Sequence, residues 1–219
     1  MVTFLYLMIC LWLWIVPSYQ NSNKMLNYSQ NNPETSNVGF LDEMLQTQYF
    51  EGGHKNKVYL DSEGYPTWGS GIKIENKKYT KPQGAPKNWV PKKFRHMNLS
   101  EEDGWKEFQK IYKIKQIHVE KYYGKGFEDV PHEIKGLLYD LAYNLGADKL
   151  FTKFDGFIKD IKKGQYKEAA KELKHVNPDK GNYTTSKWWN QVGGTNTEKE
   201  NLKRVDNRAT YLYDLLMNY

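Results

Sequence analysis

Cysteine is nearly absent from this 219-residue chain: Cys10 is the only one, and it lies in the first apolar segment. A single thiol excludes intrachain disulfides and a cysteine-based metal centre. Histidine is scarce as well. His54, His96, His118, His132 and His175 lack the paired spacing of metal ligands, so they read as scattered surface or core residues and no metal is expected. No cofactor is expected either, because phosphate-cradling and dinucleotide fingerprints are missing. Gly69-Ser70-Gly71 is not the Gly-x-Ser-x-Gly elbow of a hydrolase, and no Asp/His triad goes with it. No internal repeat is visible.

What the chain does have is positive charge. It carries 32 Lys and Arg against 26 Asp and Glu, a net +6, and residues 1–18 contribute none of it. The folding part is therefore basic and should be drawn to anionic polymers, whether nucleic acid, acidic lipid or bacterial wall polymer. The basic residues are spread out, with only short pairs such as Lys77-Lys78, Lys92-Lys93 and Lys162-Lys163. No recognition motif accompanies them, so nucleic acid is not expected as a partner. Charged residues at 26% and aromatics at 15% suit a globular protein. The length allows one medium domain or two small lobes with a core that needs no staples.

Met1 to Val16 is apolar on nearly every side, and Pro17 ends the run. About 15 apolar residues are long for a signal core and short for a membrane span. Residues 1–18 thus read as a signal peptide, cleaved after Ser18, or as a retained membrane anchor. No Lys or Arg precedes the run to fix its orientation. Either reading makes the chain exported or membrane-tethered, with the membrane met only through this segment. Residues 19–35 are polar, rich in Asn and Ser and without periodicity, which predicts a linker. Residues 36–219 are then the folded domain.

Ser36 or Asn37 can cap a helix bearing Phe40, Leu41, Met44, Leu45 and Tyr49, with Glu51 in its last turn and Gly52-Gly53 ending it. Residues 58–60, 65–68 and 72–74 are strand candidates, joined first by the turn Asp61-Ser62-Glu63-Gly64. Residues 79–98, with Pro82, Pro86 and Pro91, should be irregular. Ser100 caps a helix with an apolar stripe of Trp105, Phe108, Ile111, Tyr112 and Val119, while Ile114 and Ile117 fall off it and suggest a second contact face. Pro131 opens a helix that buries Ile134, Leu137, Leu138, Leu141 and Leu145 and stops at Gly146. A helix pair over 154–163 and 166–174, and a last helix over about 200–217, complete the pattern. The fold class is α+β: a small antiparallel sheet lobe beside a larger helical lobe, with a cleft between them.

Two acids on different elements are the minimum for cleaving a glycosidic bond. Glu51 sits at a helix C-terminus, where the dipole disfavours its charged form, as suits a general acid; it could equally be a solvated surface glutamate. The surrounding string Glu51-Gly52, Val58-Tyr59, Asp61, Glu63-Gly64-Tyr65, Thr67 and Gly69-Ser70-Gly71 resembles the active-site motif of the T-even phage lysozymes, glycoside hydrolase family twenty-four. Leu99-Ser100-Glu101-Glu102, Leu141 to Gly146, Gly164-Gln165-Tyr166, Trp188-Trp189-Asn190-Gln191 and the Arg204 to Arg208 region follow in the family's order.

The resemblance implies a lysozyme-like fold and a monomeric muramidase without a cofactor that hydrolyses the β-1,4 bond of peptidoglycan with inversion. It implies that Glu51 protonates the glycosidic oxygen and that Asp61, helped by the Thr67 hydroxyl, activates water. Asn144 matches a substrate-contacting position, although capping the helix before Gly146 would explain it equally. The chain departs from the family pattern at three places. Glu51 to Asp61 is one residue longer than usual, with the extra residue placed within Gly53-His54-Lys55-Asn56. Ile72 stands where the family has His. The arginine neighbouring the acid is either Arg204 or Arg208. The resemblance also implies a phage or viral product acting in the host envelope. A non-catalytic wall-binding protein and a virion-associated lysozyme used for entry are the alternatives.

Overall fold

The structure is a computed structural model that describes residues 40–176, 181, 184–192 and 208–219. The expected export segment, the linker and the cap at Ser36 or Asn37 lie outside the described residues. Among the described residues no helix is long and apolar enough to cross a membrane. By its contacts the chain divides into residues 1–41 and residues 42–219, and the elements below belong to the second unit apart from the first residue of its first helix.

That helix, α1 (Leu41–Phe50), ends where Gly52 and Gly53 take φ of +83° and +68°. Glycine is the residue that turns this way without penalty, and it closes the helix immediately after Glu51. Three short antiparallel strands follow in the order β1-β2-β3: β1 (Tyr59–Leu60), β2 (Pro66–Trp68) and β3 (Ile72–Lys73). Tyr59 pairs with Thr67 and Leu60 with Pro66, then Thr67 with Lys73 and Trp68 with Ile72. Alternation sends the Tyr59 and Thr67 side chains to one face and those of Leu60 and Trp68 to the other. Leu60 and Trp68 pack there on a small core of Val58, Val90 and Phe94. Residues 79–98 are irregular as expected, apart from a 3₁₀ turn at Lys92–Phe94.

The helices that follow are α2 (Glu101–Tyr123), α3 (His132–Leu145), α4 (Ala147–Lys153), α5 (Asp155–Lys162), α6 (Tyr166–Lys174), α7 (Lys187–Gln191) and α8 (Arg208–Met217). Ser100 caps α2 as its sequence predicts, its hydroxyl accepting from Asp103 N. Trp105, Phe108 and Tyr112 of α2 are fully enclosed; Trp105 stacks on Phe108, and Phe108 and Tyr112 meet Tyr139 and Tyr143 of α3 ring against ring, which makes the main core aromatic.

Several expectations need correction. Ile114 and Ile117 are half exposed, at 50% and 55%, so no second contact face forms there among the described residues. Leu145 is only partly buried. Pro131 is the residue before α3 rather than its first helical residue. Helices α4 and α7 were not expected. Gly146, read as a stop, both ends α3 and starts α4: its N–H donates to Ala142 O and its carbonyl accepts from Leu150 N. The last helix is described from Arg208, and residues 201–207 lie outside the described residues.

Candidate active site

Glu51 follows the last residue of α1 with its N–H still bonded to Thr47 O at 3.1 Å, so its backbone belongs to the helix end. Gly71 lets it reach the sheet. A Cβ on Gly71 would stand 2.6 Å from Glu51 Oε2, and the φ of +80° there already favours glycine. Backbone and carboxylate therefore touch where any side chain would separate them.

On its other side Glu51 meets Arg208, whose Nη2 donates to Oε1 at 2.8 Å. Of the two arginines the sequence left open, Arg208 is thus beside the acid, and Arg204 lies outside the described residues. Arg208 opens α8, a poor place for a cation because the helix N-terminus is itself positive, and the first turn of α8 holds no acid. The compensation comes from elsewhere in the chain. Arg208 Nε faces Asp140 Oδ2 at 3.1 Å and Nη2 faces Asp140 Oδ1 at 3.3 Å. The guanidinium also lies over the Phe50 ring, 5.3 Å from its centroid. Burial works against the Arg208 charge, but Asp140 and then Glu51 outweigh it, and its pKa is raised above the ordinary arginine value.

Asp61 opens the β1–β2 turn. Its Oδ1 accepts from Glu63 N and Tyr65 N, both at 2.9 Å, an arrangement that orients the carboxylate by the backbone of its own turn. Thr67 is only 2% exposed, and its hydroxyl donates to Tyr65 O at 3.1 Å. Tyr59, the cross-strand partner of Thr67, feels both acids. Burial first, then the charges of Glu51 and Asp61, push its pKa up to about 12. The same hydroxyl carries a hydrogen bond with the Gly71 backbone. Tyr143 of α3 donates to Ser70 O at 2.8 Å and fastens the glycine-rich turn to the helices. Its pKa is raised by burial, with Glu51 adding to the effect.

The segment Gly53-His54-Lys55-Asn56, where the sequence is read as one residue longer, leads into a regular hairpin. Lys55 and Gly69 exchange backbone bonds of 3.1 and 3.0 Å, Lys57 bridges to Asn98, and the strand pairing beyond them is regular. His54 reaches Leu99 O through Nε2 at 3.1 Å, and its ring lies where a Cβ on Gly104 would be. Ile72 takes its place in β3 without a polar partner of its own side chain. Asn144, near the end of α3, is exposed, and its Oδ1 accepts from Trp188 Nε1 at 3.0 Å. Its side chain is thus held by α7, and the indole, a donor only, fixes the amide with its NH2 turned away.

Sequence reasoning placed Glu51, Asp61 and Thr67 around one hairpin, and the structure gathers the first two around Tyr59. It missed Asp140, Tyr59 and Tyr143. For Asp140 a signal existed: it is the only charge in the run Leu137-Leu138-Tyr139-Asp140-Leu141-Ala142. Among the described residues no group of three or more His, Cys, Asp or Glu could hold a metal ion.

A small antiparallel sheet set against a helical body, with a buried-edge glutamate at the junction, defines the lysozyme-like α+β class. The phage lysozyme family matches residues 48–195, more than half of the chain, and the chain belongs to that family. Membership makes it a lysozyme-type peptidoglycan hydrolase, a glycosidase of the bacterial cell wall. The match is to the family at large and does not single out its T-even branch. No curated protein matches the chain.

Proposed function

We propose that this protein hydrolyses the β-1,4 bond between N-acetylmuramic acid and N-acetylglucosamine in peptidoglycan by an inverting acid/base mechanism. Glu51 is the general acid. It delivers its proton to the glycosidic oxygen as the bond breaks. Asp61 is the base, taking a proton from the water that attacks the opposite face of the sugar. Because Oδ1 is engaged by two backbone N–H groups, Oδ2 is the oxygen left to the water. Thr67, with its hydroxyl proton committed to Tyr65 O, offers the water a lone pair and so helps to aim it. Asn144 presents its amide NH2 to hydroxyl or acetamido groups of the glycan.

The observation that carries this reading is the placement of Glu51 against Gly71 and Arg208, with Tyr59 within reach of the charges of both acids. A solvated surface glutamate would have no such enclosure. We further propose that the protein acts on the wall as an exported or membrane-tethered phage product, monomeric, with residues 1–18 as signal or anchor.

Turbidity of purified cell walls gives the test. Glu51→Gln should lower clearing by about 100-fold or more, the scale of losing general acid catalysis. If that variant clears walls as fast as the parent, Glu51 is not the acid.

A further inference from the structure

We infer that Asp140 is a positioning residue for the hydrolysis: it draws the Arg208 charge to itself so that Glu51 can hold the proton it must deliver. The inference rests on the reading of Glu51 as general acid.

A guanidinium beside a carboxylate stabilises its charged form. Arg208 alone would therefore oppose the protonation that a general acid requires. It is not alone. Its side chain and that of Asp140 are 5% and 6% exposed, against 18% for Glu51, so arginine and aspartate form the deeper pair. Arg208 sets two nitrogens against Asp140, Nε in an ion-pair contact at 3.1 Å without hydrogen-bond geometry and Nη2 at 3.3 Å, while Glu51 takes one Nη2 bond at 2.8 Å. With all three groups ionised the cluster is one negative charge in excess, and one proton makes it neutral. Glu51 is the member open to solvent, so the proton enters and leaves there.

One further cation stands near among the described residues: Lys55, whose Nζ lies 3.9 Å from the centroid of the Tyr59 ring. From α2, Tyr112 faces Asp140 with its pKa raised well above the ordinary value, by burial first and Asp140 next. From α8, Tyr211 is raised by burial, then by Glu43 of α1 and by Asp140. Tyr59 of β1 and Tyr143 of α3 feel the charge of Glu51, and Tyr59 feels that of Asp61 as well. These tyrosines and acids bring no positive charge of their own. Arg208 is the cation bonded to Glu51 itself, and how its charge is divided decides the protonation of Glu51.

The test is wall clearing by the full chain as a function of pH, for the parent, Asp140→Asn, Asp140→Glu and Glu51→Gln. Asparagine keeps the shape and removes the charge. In Asp140→Asn the alkaline limb of the rate profile should move to lower pH by about one unit, roughly a tenfold loss on that limb, with the acid-side rate retained. Asp140→Glu should restore the parent limb. A profile that keeps its limbs, whether unchanged or lowered uniformly at every pH, would make Asp140 merely structural and overturn the inference. Should Asp140→Asn melt below the assay temperature, Arg208→Gln gives the opposite reading: its alkaline limb should move to higher pH, and a limb that stays or falls overturns the inference. Clearing by Glu51→Gln would instead remove the acid assignment on which this rests. An inactive Glu51→Gln with an unmoved Asp140→Asn limb defeats the Asp140 role alone.

Discussion

Residues 51–99 and residues 100–219 divide the protein's physical duties unequally. The sheet region holds ten Lys and Arg against four Asp and Glu, while the helical remainder holds 21 against 19. The excess charge of the chain therefore belongs to the part that bears Asp61 and Thr67. Burial is distributed the other way. The sheet region has three buried hydrophobics in its own cluster, Val58, Val90 and Phe94. The helical region encloses Trp105, Phe108, Tyr112, Ile134, Leu138, Leu141, Leu150, Leu173 and Leu212 almost completely. Sheet strands of two or three residues cannot stand alone. They are held by turns, by backbone bonds and by attachment to the helices through Tyr143, the His54 ring against Gly104, and Glu51. The lesson is that the frame and the charged working surface are built separately, with the acid at the seam.

The largest expected effect breaks the frame. Trp105→Ala removes a side chain with no exposed surface that stacks on Phe108 at 5.6 Å, and should cost about 3–5 kcal/mol. Val58→Ala in the sheet cluster removes two carbons and should cost about 2 kcal/mol or less, at ~0.8 per buried carbon. Urea unfolding monitored by tryptophan fluorescence and by far-UV circular dichroism compares them. Equal losses would show that the small cluster is as structural as the aromatic core, and the division drawn above would fail.

How much of this was legible follows the same seam. The hairpin could be read because its signals are local: Asp61 bonds the turn it opens, and Gly64, Gly69 and Gly71 all take positive φ. The cap of α2 and its stripe were equally local. Helix α4 was not, because one glycine can end a helix and begin the next, and nothing in the sequence tells the two uses apart. The acid's surroundings were the least legible. Arg208 is 157 residues from Glu51 and 68 from Asp140, and no spacing rule reaches across such separations. Only the resemblance pointed to an arginine, and it left two. The isoleucines at 114 and 117 misled because apolar character was taken for contact, whereas exposed apolar residues are ordinary on protein surfaces.

A smaller effect sharpens the seam itself. Gly104 lies in the first turn of α2, where alanine would ordinarily favour the helix by up to about 1 kcal/mol. Here the added methyl would occupy the His54 ring, which is bonded to Leu99 O and packed beside Gly69. Gly104→Ala should therefore destabilise, by about 1–2 kcal/mol as overpacking does. Because His54 anchors the segment leading into β1, wall clearing should fall further than the loss of folded protein explains. A gain in stability with full clearing would mean that the ring swings aside freely and that this contact does not fix the hairpin.

The smallest effect on folding tests the charge difference. Lys81, Lys87 and Lys92 are exposed in the irregular part of the sheet region. Changing all three to Gln halves that region's excess from six to three, yet substitutions at such sites usually stay within about 0.5 kcal/mol each. Stability should thus be nearly unchanged. Adsorption to anionic cell walls should weaken, and its dependence on salt should become shallower, since screened attraction between exposed charges is what the lysines supply. The matched comparison is Lys149, Lys153 and Lys167 changed to Gln in the helical region, which lowers the total charge equally. If adsorption depends only on total charge, both triple variants will weaken alike. If the sheet region is the surface that meets the wall, the first will weaken more, and the difference will shrink as salt is raised.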